Sequence, residues 1–264
     1  MEYVEAAQGR DMAGLRLALT VGVPGPWGES AKKVFEYKGI EYTPVAQYPS
    51  EPNQDLVDWT GIRNAPVAVL DDEPGRSNYQ DIVALAERLK PEPALLPEGF
   101  DERLCCVGIS NEICGEGGFG WSRRVMMSSP KPEVLAREDV QRALATRPEM
   151  NREVMSRAYG GPRVEHAQAT RRVVQILDGL AARLAAQQAA GSPYFVGDAV
   201  TACDIQWACF SAMLVPLPQE VNPMPEWLRF SYGHLGDIDP YDYPILLAHR
   251  DLMFEQHLGL PLDF

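Results

Sequence analysis

The chain has 264 residues, 45% of them hydrophobic and 23% charged, and its formal net charge of −13 is acidic in both halves. That composition suits a globular protein with room for two modest domains. It excludes a basic nucleic-acid footprint and a polybasic membrane surface. No run of about 18 consecutive apolar residues is present to form a membrane helix.

Residues 1–14 carry Glu2, Glu5 and Asp11 and lack the basic end and apolar run of a signal peptide, so a flexible tail is expected there. Leu15 to Val21 is a short apolar run ended by Gly22, Pro24, Gly25 and Pro26, which reads as a buried strand. Trp27 to Lys38 turns helical, with Pro26 suited to the first turn and Gly39 to the stop. Glu41 to Ala46 reads as a second strand, and a β-α-β unit of this length favours parallel pairing. Asn53 to Trp59 reads as a short helix, Ala65 to Asp71 as a third strand, and Arg76 to Tyr79 as a fourth, reached through the turn Glu73-Pro74-Gly75. Gln80 to Leu89 places Ile82, Leu85, Ala86 and Leu89 on one helical side. The order is β-α-β-α-β-β-α, a thioredoxin-like unit over residues 15–92 whose sheet needs helices on both faces.

After the linker prolines Pro91, Pro93 and Pro97 the strand signals stop, and residues 100–264 read as an all-α domain. Helix breaks are expected at Pro130, Pro148, Gly160 to Pro162, and Pro216 to Pro225. The longest helix, roughly Val164 to Gln188, carries the stripe Val173, Ile176, Leu177, Leu180 and Leu184, with Arg171, Arg172 and Arg183 on its wetter side. The whole chain is thus an α+β two-domain protein. Cys105, Cys106, Cys114, Cys203 and Cys209 all fall in the helical half without C-x-x-C spacing and read as reduced and structural, which suits the cytoplasm. His166, His234, His249 and His257 show no metal-ligand spacing, so no metal is expected.

Val200-Thr201-Ala202-Cys203-Asp204-Ile205 is a helix start written three ways. Thr201 and Asp204 form a capping box, Val200 and Ile205 take the staple positions, and a carboxylate in the first turn favours the positive end of the helix dipole. Trp207 and Phe210 follow at helical spacing and read as core. With Tyr194-Phe195-Val196-Gly197-Asp198 before it, this segment resembles the helical-domain signature of the glutathione S-transferase superfamily. Lys38-Gly39-Ile40-Glu41-Tyr42 and Ala65-Pro66-Val67 are similar to the same superfamily's first-helix end and third-strand entrance. The resemblance covers residues 15 to about 255.

The resemblance implies glutathione as co-substrate, a small-molecule second substrate and a homodimer. It implies a cis bond at Pro66, with the Ala65 backbone free to pair with the cysteinyl part of glutathione; the plain alternative is a strand-entry proline. At the thiol position the chain departs from the pattern: the place of a cysteine nucleophile falls on Gly25 and that of a tyrosine near Val21. Thr20 and Ser30 are the nearest hydroxyls, neither well placed on this alignment. A thiolate then depends on the N–H groups of Gly25, Trp27 and Gly28 at a helix start, with Trp27 walling the sulfur; the alternative is a rigid turn.

At the γ-glutamyl end, Asn78-Tyr79-Gln80-Asp81 stands where the superfamily has an acidic residue or Gln followed by Ser. Asn78 and Asp81 are the candidate polar contacts, and Tyr79 is a bulky replacement that modifies or closes the site. Gly115 to Gly120 lacks the Gly-Lys-Ser/Thr ending of a phosphate loop. The adjoining Phe119, Trp121, Arg123 and Arg124 are the candidate second-substrate residues for an aromatic or anionic electrophile, against the alternative of a surface salt-bridge cluster. Two functions stay open: a glutathione-dependent transferase, or a non-catalytic binding protein on the same fold. A dehalogenase, isomerase or etherase stands between them.

Overall fold

The computed structural model describes residues 1–128, 136–145 and 165–264. Helix α1 (Ala6–Arg10) precedes β1 (Leu15–Thr20), α2 (Pro26–Tyr37), β2 (Thr43–Gln47), α3 (Gln54–Thr60), β3 (Val67–Leu70) and α4 (Tyr79–Leu89). In the sheet β1 is central, parallel to β2 and antiparallel to β3. Alternation along β1 splits its side chains between two apolar layers. Leu15, Leu17 and Leu19 join the main core with Phe35 of α2 and Ile82 of α4, while Ala18 joins Val45, Leu56, Val67 and Val69 on the opposite face.

Residues 1–14 are no loose tail: Val4 pairs in parallel with β2, through Val4 N–H to the Pro44 carbonyl at 3.0 Å and Ala46 N–H to the Val4 carbonyl at 2.9 Å. Helix α1 follows and lays Ala6 in the second layer. Gly9 sits so close to Val45 that an added Cβ would lie 2.8 Å from a Val45 methyl carbon. Since α2 and α4 contribute to the main core on the first face, the apolar residues opposite need α1 as well as α3 to exclude water.

The expected fourth strand is reduced to one bridging pair, Ala68 with Arg76, made by N–H donations of 2.8 and 2.9 Å. Asn78 ends it early. Its side-chain oxygen accepts from the Gln80 N–H at 2.8 Å, an N-cap that starts α4 at Tyr79.

The helical half is built from α5 (Phe100–Cys114), α6 (Phe119–Ser128), α7 (Glu138–Leu144), α8 (His166–Ala189), α9 (Ala202–Phe210), α10 (Glu226–Gly233) and α11 (Pro244–Met253). Pro130, Pro148, Gly160 to Pro162 and Val164 lie outside the described residues. Every stripe residue of α8 from Val173 to Leu184 is buried. Helix α9 is buried along its whole length, and Trp207 and Phe210 are core. The capping box at its start is present. One Asp204 oxygen accepts from the Thr201 N–H at 2.9 Å and its hydroxyl at 2.7 Å; the other accepts from the Phe195 N–H at 2.8 Å and lies 2.9 Å from His249 Nε2.

The linker is fixed from below. Lys38, fully buried at the end of α2, donates to Glu87 at 2.5 Å and to the carbonyls of Pro91 and Pro93 at 3.2 and 2.6 Å. Glu87 also accepts from the Leu95 N–H, and the Leu95 carbonyl accepts from Ala202 at the head of α9. The two halves therefore share one continuous core.

Candidate active site

Gly25 is the N-cap of α2 and Pro26 its first residue, as the breaker-rich run Gly22 to Pro26 dictates. The Gly25 N–H is spent on the Val23 carbonyl at 2.8 Å, so it is not among the groups open to an anion. Trp27 and Gly28 stand in the first turn, where N–H groups have no preceding helical carbonyl to bond. A Cβ built on Gly25 would meet nothing within 4 Å, so the place of a thiol-reactive side chain is open space. Thr20 is excluded as a donor to a ligand: its hydroxyl donates to the Gln47 side-chain oxygen at 2.7 Å.

A narrow cleft of about 10 Å³, room for about one water, opens against this helix start. Trp27, Ser30 and Val34 wall it from α2, Pro66 from the entrance to β3, and Tyr79, Ile82 and Val83 from α4, with Ser77 at the rim. The Ala65–Pro66 peptide is cis, with Ala65 half-buried and Pro66 buried. The structure thus brings Trp27, Pro66 and Tyr79 to one cavity.

The other expected residues divide. Asn78 is exposed and its side-chain oxygen accepts the α4 cap bond from the Gln80 N–H. Asp81 is exposed on α4 and is not among the cavity's walls. The Tyr79 phenol donates to the Asn111 side-chain oxygen of α5 at 3.0 Å, crossing from the front half to the back. Burial, and secondarily the nearby Cys114 sulfur, push its pKa up to about 12, so it stays a protonated phenol at neutral pH.

Trp27 is held from the back half too. Its indole N–H donates to the Cys114 carbonyl at 3.0 Å, and Phe210 meets it edge-on at 4.8 Å between centroids. Gly120 makes this approach possible, since a Cβ there would sit 2.4 Å from Phe210 and 2.9 Å from Trp27.

Of the α6 cluster, Phe119 and Arg123 are core rather than ligand contacts. Phe119 is fully buried against Trp207, with centroids 5.3 Å apart. Arg123 is also fully buried and donates to the carbonyls of Met213, Tyr232 and His234 at 2.9, 3.0 and 3.0 Å, closing the C-terminal end of α10. Desolvation, with Arg124 beside it, lowers its pKa to about 9. Trp121 and Arg124 are half-buried. The Arg124 guanidinium stacks over Trp27 at 5.8 Å and over Tyr232 at 5.6 Å, which places a cation beside the helix start.

Sequence reasoning set Ser30 aside and missed Ser77 and Asn111. Ser30 recurs with Trp27 and Val34 at helical spacing, which was a usable signal that it shares their face. Asn111 carried none, because nothing local ties it to Tyr79, 32 residues away.

Neither a protein-family model nor a curated protein matches the sequence. Solved structures do match in fold. A glutathione S-transferase from Methylobacillus flagellatus with glutathione bound superposes with a TM-score of 0.62 at 16% identity, over 92% of this chain and 96% of that one. A beta-etherase from a Sphingobium species gives 0.61 at 18% identity, over 90% and 94%. A glutathione S-transferase from Methylobacterium radiotolerans in complex with glutathione sulfonate gives 0.56 at 17% identity, over 96% and 98%. The chain has the glutathione S-transferase fold.

Proposed function

Starting from that fold, we propose that the protein is a glutathione-dependent transferase that adds the glutathione thiolate to a small aromatic or anionic electrophile. The cavity between the α2 start, Pro66 and the head of α4 carries the reading, because it joins a helix N-terminus to an apolar wall. Glutathione lies along the Ala65 backbone with its sulfur at the first turn of α2. There the N–H groups of Trp27 and Gly28 favour the thiolate, and the cation of Arg124, 5.8 Å from the Trp27 ring, adds to the same potential. The electrophile sits beside Trp27, Trp121 and Arg124. The sulfur lone pair forms the new S–C bond while the leaving group departs with its electron pair, so the protein's contribution is thiol ionisation and proximity.

One observation favours a second reading, a non-catalytic binding protein. Tyr79, a bulky residue where the superfamily has Ser, is tied to Asn111, and Gly25 offers no side chain. An etherase, dehalogenase or isomerase would use the same thiolate.

Retention on immobilised glutathione, together with turnover of a chromogenic electrophile, separates the readings. Retention with turnover is expected; no retention and no turnover would overturn the transferase. The cytoplasmic location and the homodimer belong to this proposal. Phe100 and Leu104, exposed one turn apart on α5, are the apolar pair for a second copy to cover, and light scattering reads the mass.

A further inference from the structure

We propose that Cys106 and Cys203 are a redox pair, two thiols that hydrogen peroxide joins into a disulfide stapling α5 to α9 and that a thiol reductant reopens. The inference does not depend on the glutathione reading and concerns a different part of the molecule.

The placement of the two residues carries it. Cys106 stands in the middle of α5 and Cys203 in the first turn of α9, and both are fully buried where these helices pack together. Their side chains are in hydrogen-bond contact, and the Cys203 backbone N–H also points at the Cys106 sulfur. The frame around them is shared. The Leu95 carbonyl accepts from the Ala202 N–H at 2.9 Å and from the Cys106 thiol at 3.9 Å, while Cys203 Sγ lies 3.1 Å from the hydroxyl oxygen of Thr201, the cap of α9. Two sulfurs already in contact need only a short approach to bond.

The surroundings make the two sulfurs unequal. Burial alone pushes a thiol pKa up, as it does at Cys114 and Cys209. Cys106 lies in the same core, yet the Cys203 thiol, aided by the Cys203 N–H and the Thr201 hydroxyl, outweighs burial and the Asp204 charge and brings its pKa below the ordinary value. Cys203 itself is raised, first by burial. Cys106 is therefore the thiolate that reacts and Cys203 the thiol that resolves.

The Cys106 sulfur attacks one peroxide oxygen, the O–O bond breaks, and the departing hydroxide takes up the proton that Cys106 released. The Cys203 sulfur then attacks the sulfenic acid so formed. The S–S bond forms, the S–O bond breaks, and water leaves with the Cys203 proton. Two thiols have lost two electrons, and the peroxide has become two waters. Peroxide is small enough to enter through local opening of the seam between α5 and α9.

To test this, the folded protein is treated with hydrogen peroxide, its remaining thiols are capped with iodoacetamide in urea, and the intact mass and non-reducing tryptic map are read. The expected result is that two of the five cysteines escape capping, that a linked peptide pair joins α5 to α9, and that dithiothreitol restores all five thiols. Cys105, Cys106 and Cys114 share one tryptic peptide, since no Lys or Arg stands between Leu104 and Ser122. Variants therefore assign the partner: Cys105→Ala keeps the crosslink and Cys106→Ala loses it. In Cys203→Ala the sulfenic acid has no resolving thiol, and dimedone should trap it on Cys106. Five cappable thiols in the peroxide-treated wild type, a reading that needs no variant to fold, would overturn the pair. A crosslink that survives in Cys106→Ala would do the same.

Discussion

The Tyr79 phenol donates to the Asn111 side-chain oxygen across 3.0 Å, and this bond joins the first turn of α4 to α5. Tyr79→Phe removes it and leaves the ring. The expected stability loss is about 0.5–1 kcal/mol, small because the group is only half-buried. Tyr79→Ser removes the ring as well and should strengthen glutathione binding severalfold by calorimetry. Unchanged affinity in Tyr79→Ser would mean that the tyrosine does not stand in the ligand's way.

Gly25 is an N-cap with open space around its missing Cβ. Gly25→Cys therefore fits without displacement. If the start of α2 favours anions, the new thiol should titrate below the usual value of about 8.5. The rate of alkylation by iodoacetamide against pH, compared with a cysteine placed on the exposed side of α8, reads this directly. An ordinary titration would contradict the anion site.

Arg123 and Arg124 are neighbours with opposite duties. Arg123→Met leaves the carbonyls of Met213, Tyr232 and His234 without their buried donor, and the expected loss is about 3 kcal/mol or more. Arg124→Gln gives up stacking on Trp27 and Tyr232, at about 1 kcal/mol. It should nevertheless weaken anionic electrophiles in kcat/KM far more than neutral ones. Urea titration and a substrate pair differing in one carboxylate measure the two effects.

Glu29 is buried beside Lys32, whose ammonium lies 2.8 Å from it. Burial raises its pKa above the ordinary 4.5, and Lys32 and Lys33 only partly offset this. The folded state therefore holds the proton at a pH where the unfolded chain has released it. The contribution of Glu29 to stability is present below about 4.5 and declines as pH rises through the folded pKa. Wild type should lose ground to Glu29→Gln as pH increases across that window, in thermal midpoints measured at matched ionic strength. A constant difference between the two proteins would rule this out.

The glycine at 120 offers a check on domain packing. A Cβ there would collide with Phe210 and Trp27, so Gly120→Ala should cost about 1–3 kcal/mol and shift the Trp27 fluorescence. A near-native midpoint would show that α6 can retreat.

By itself the sequence determined the succession of elements from β1 to α4 apart from the fourth strand, the α8 stripe, and the start of α9. Each of these is local: periodicity marks an apolar face within a few turns, and Thr201 and Asp204 satisfy one another three residues apart. Tertiary structure decided what each face meets. Residues 1–14 become structured because the sheet's second face is left open to them, which nothing within those residues announces. Arg123 turns into the core and Arg124 toward Trp27 because one helix step separates them by about 100° and their partners lie about a hundred residues away, on opposite sides along the chain. The same holds for the cavity: Ser30, Pro66 and Tyr79 come from three separate elements, and only packing against a shared core sets a serine, a proline and a phenol around one space.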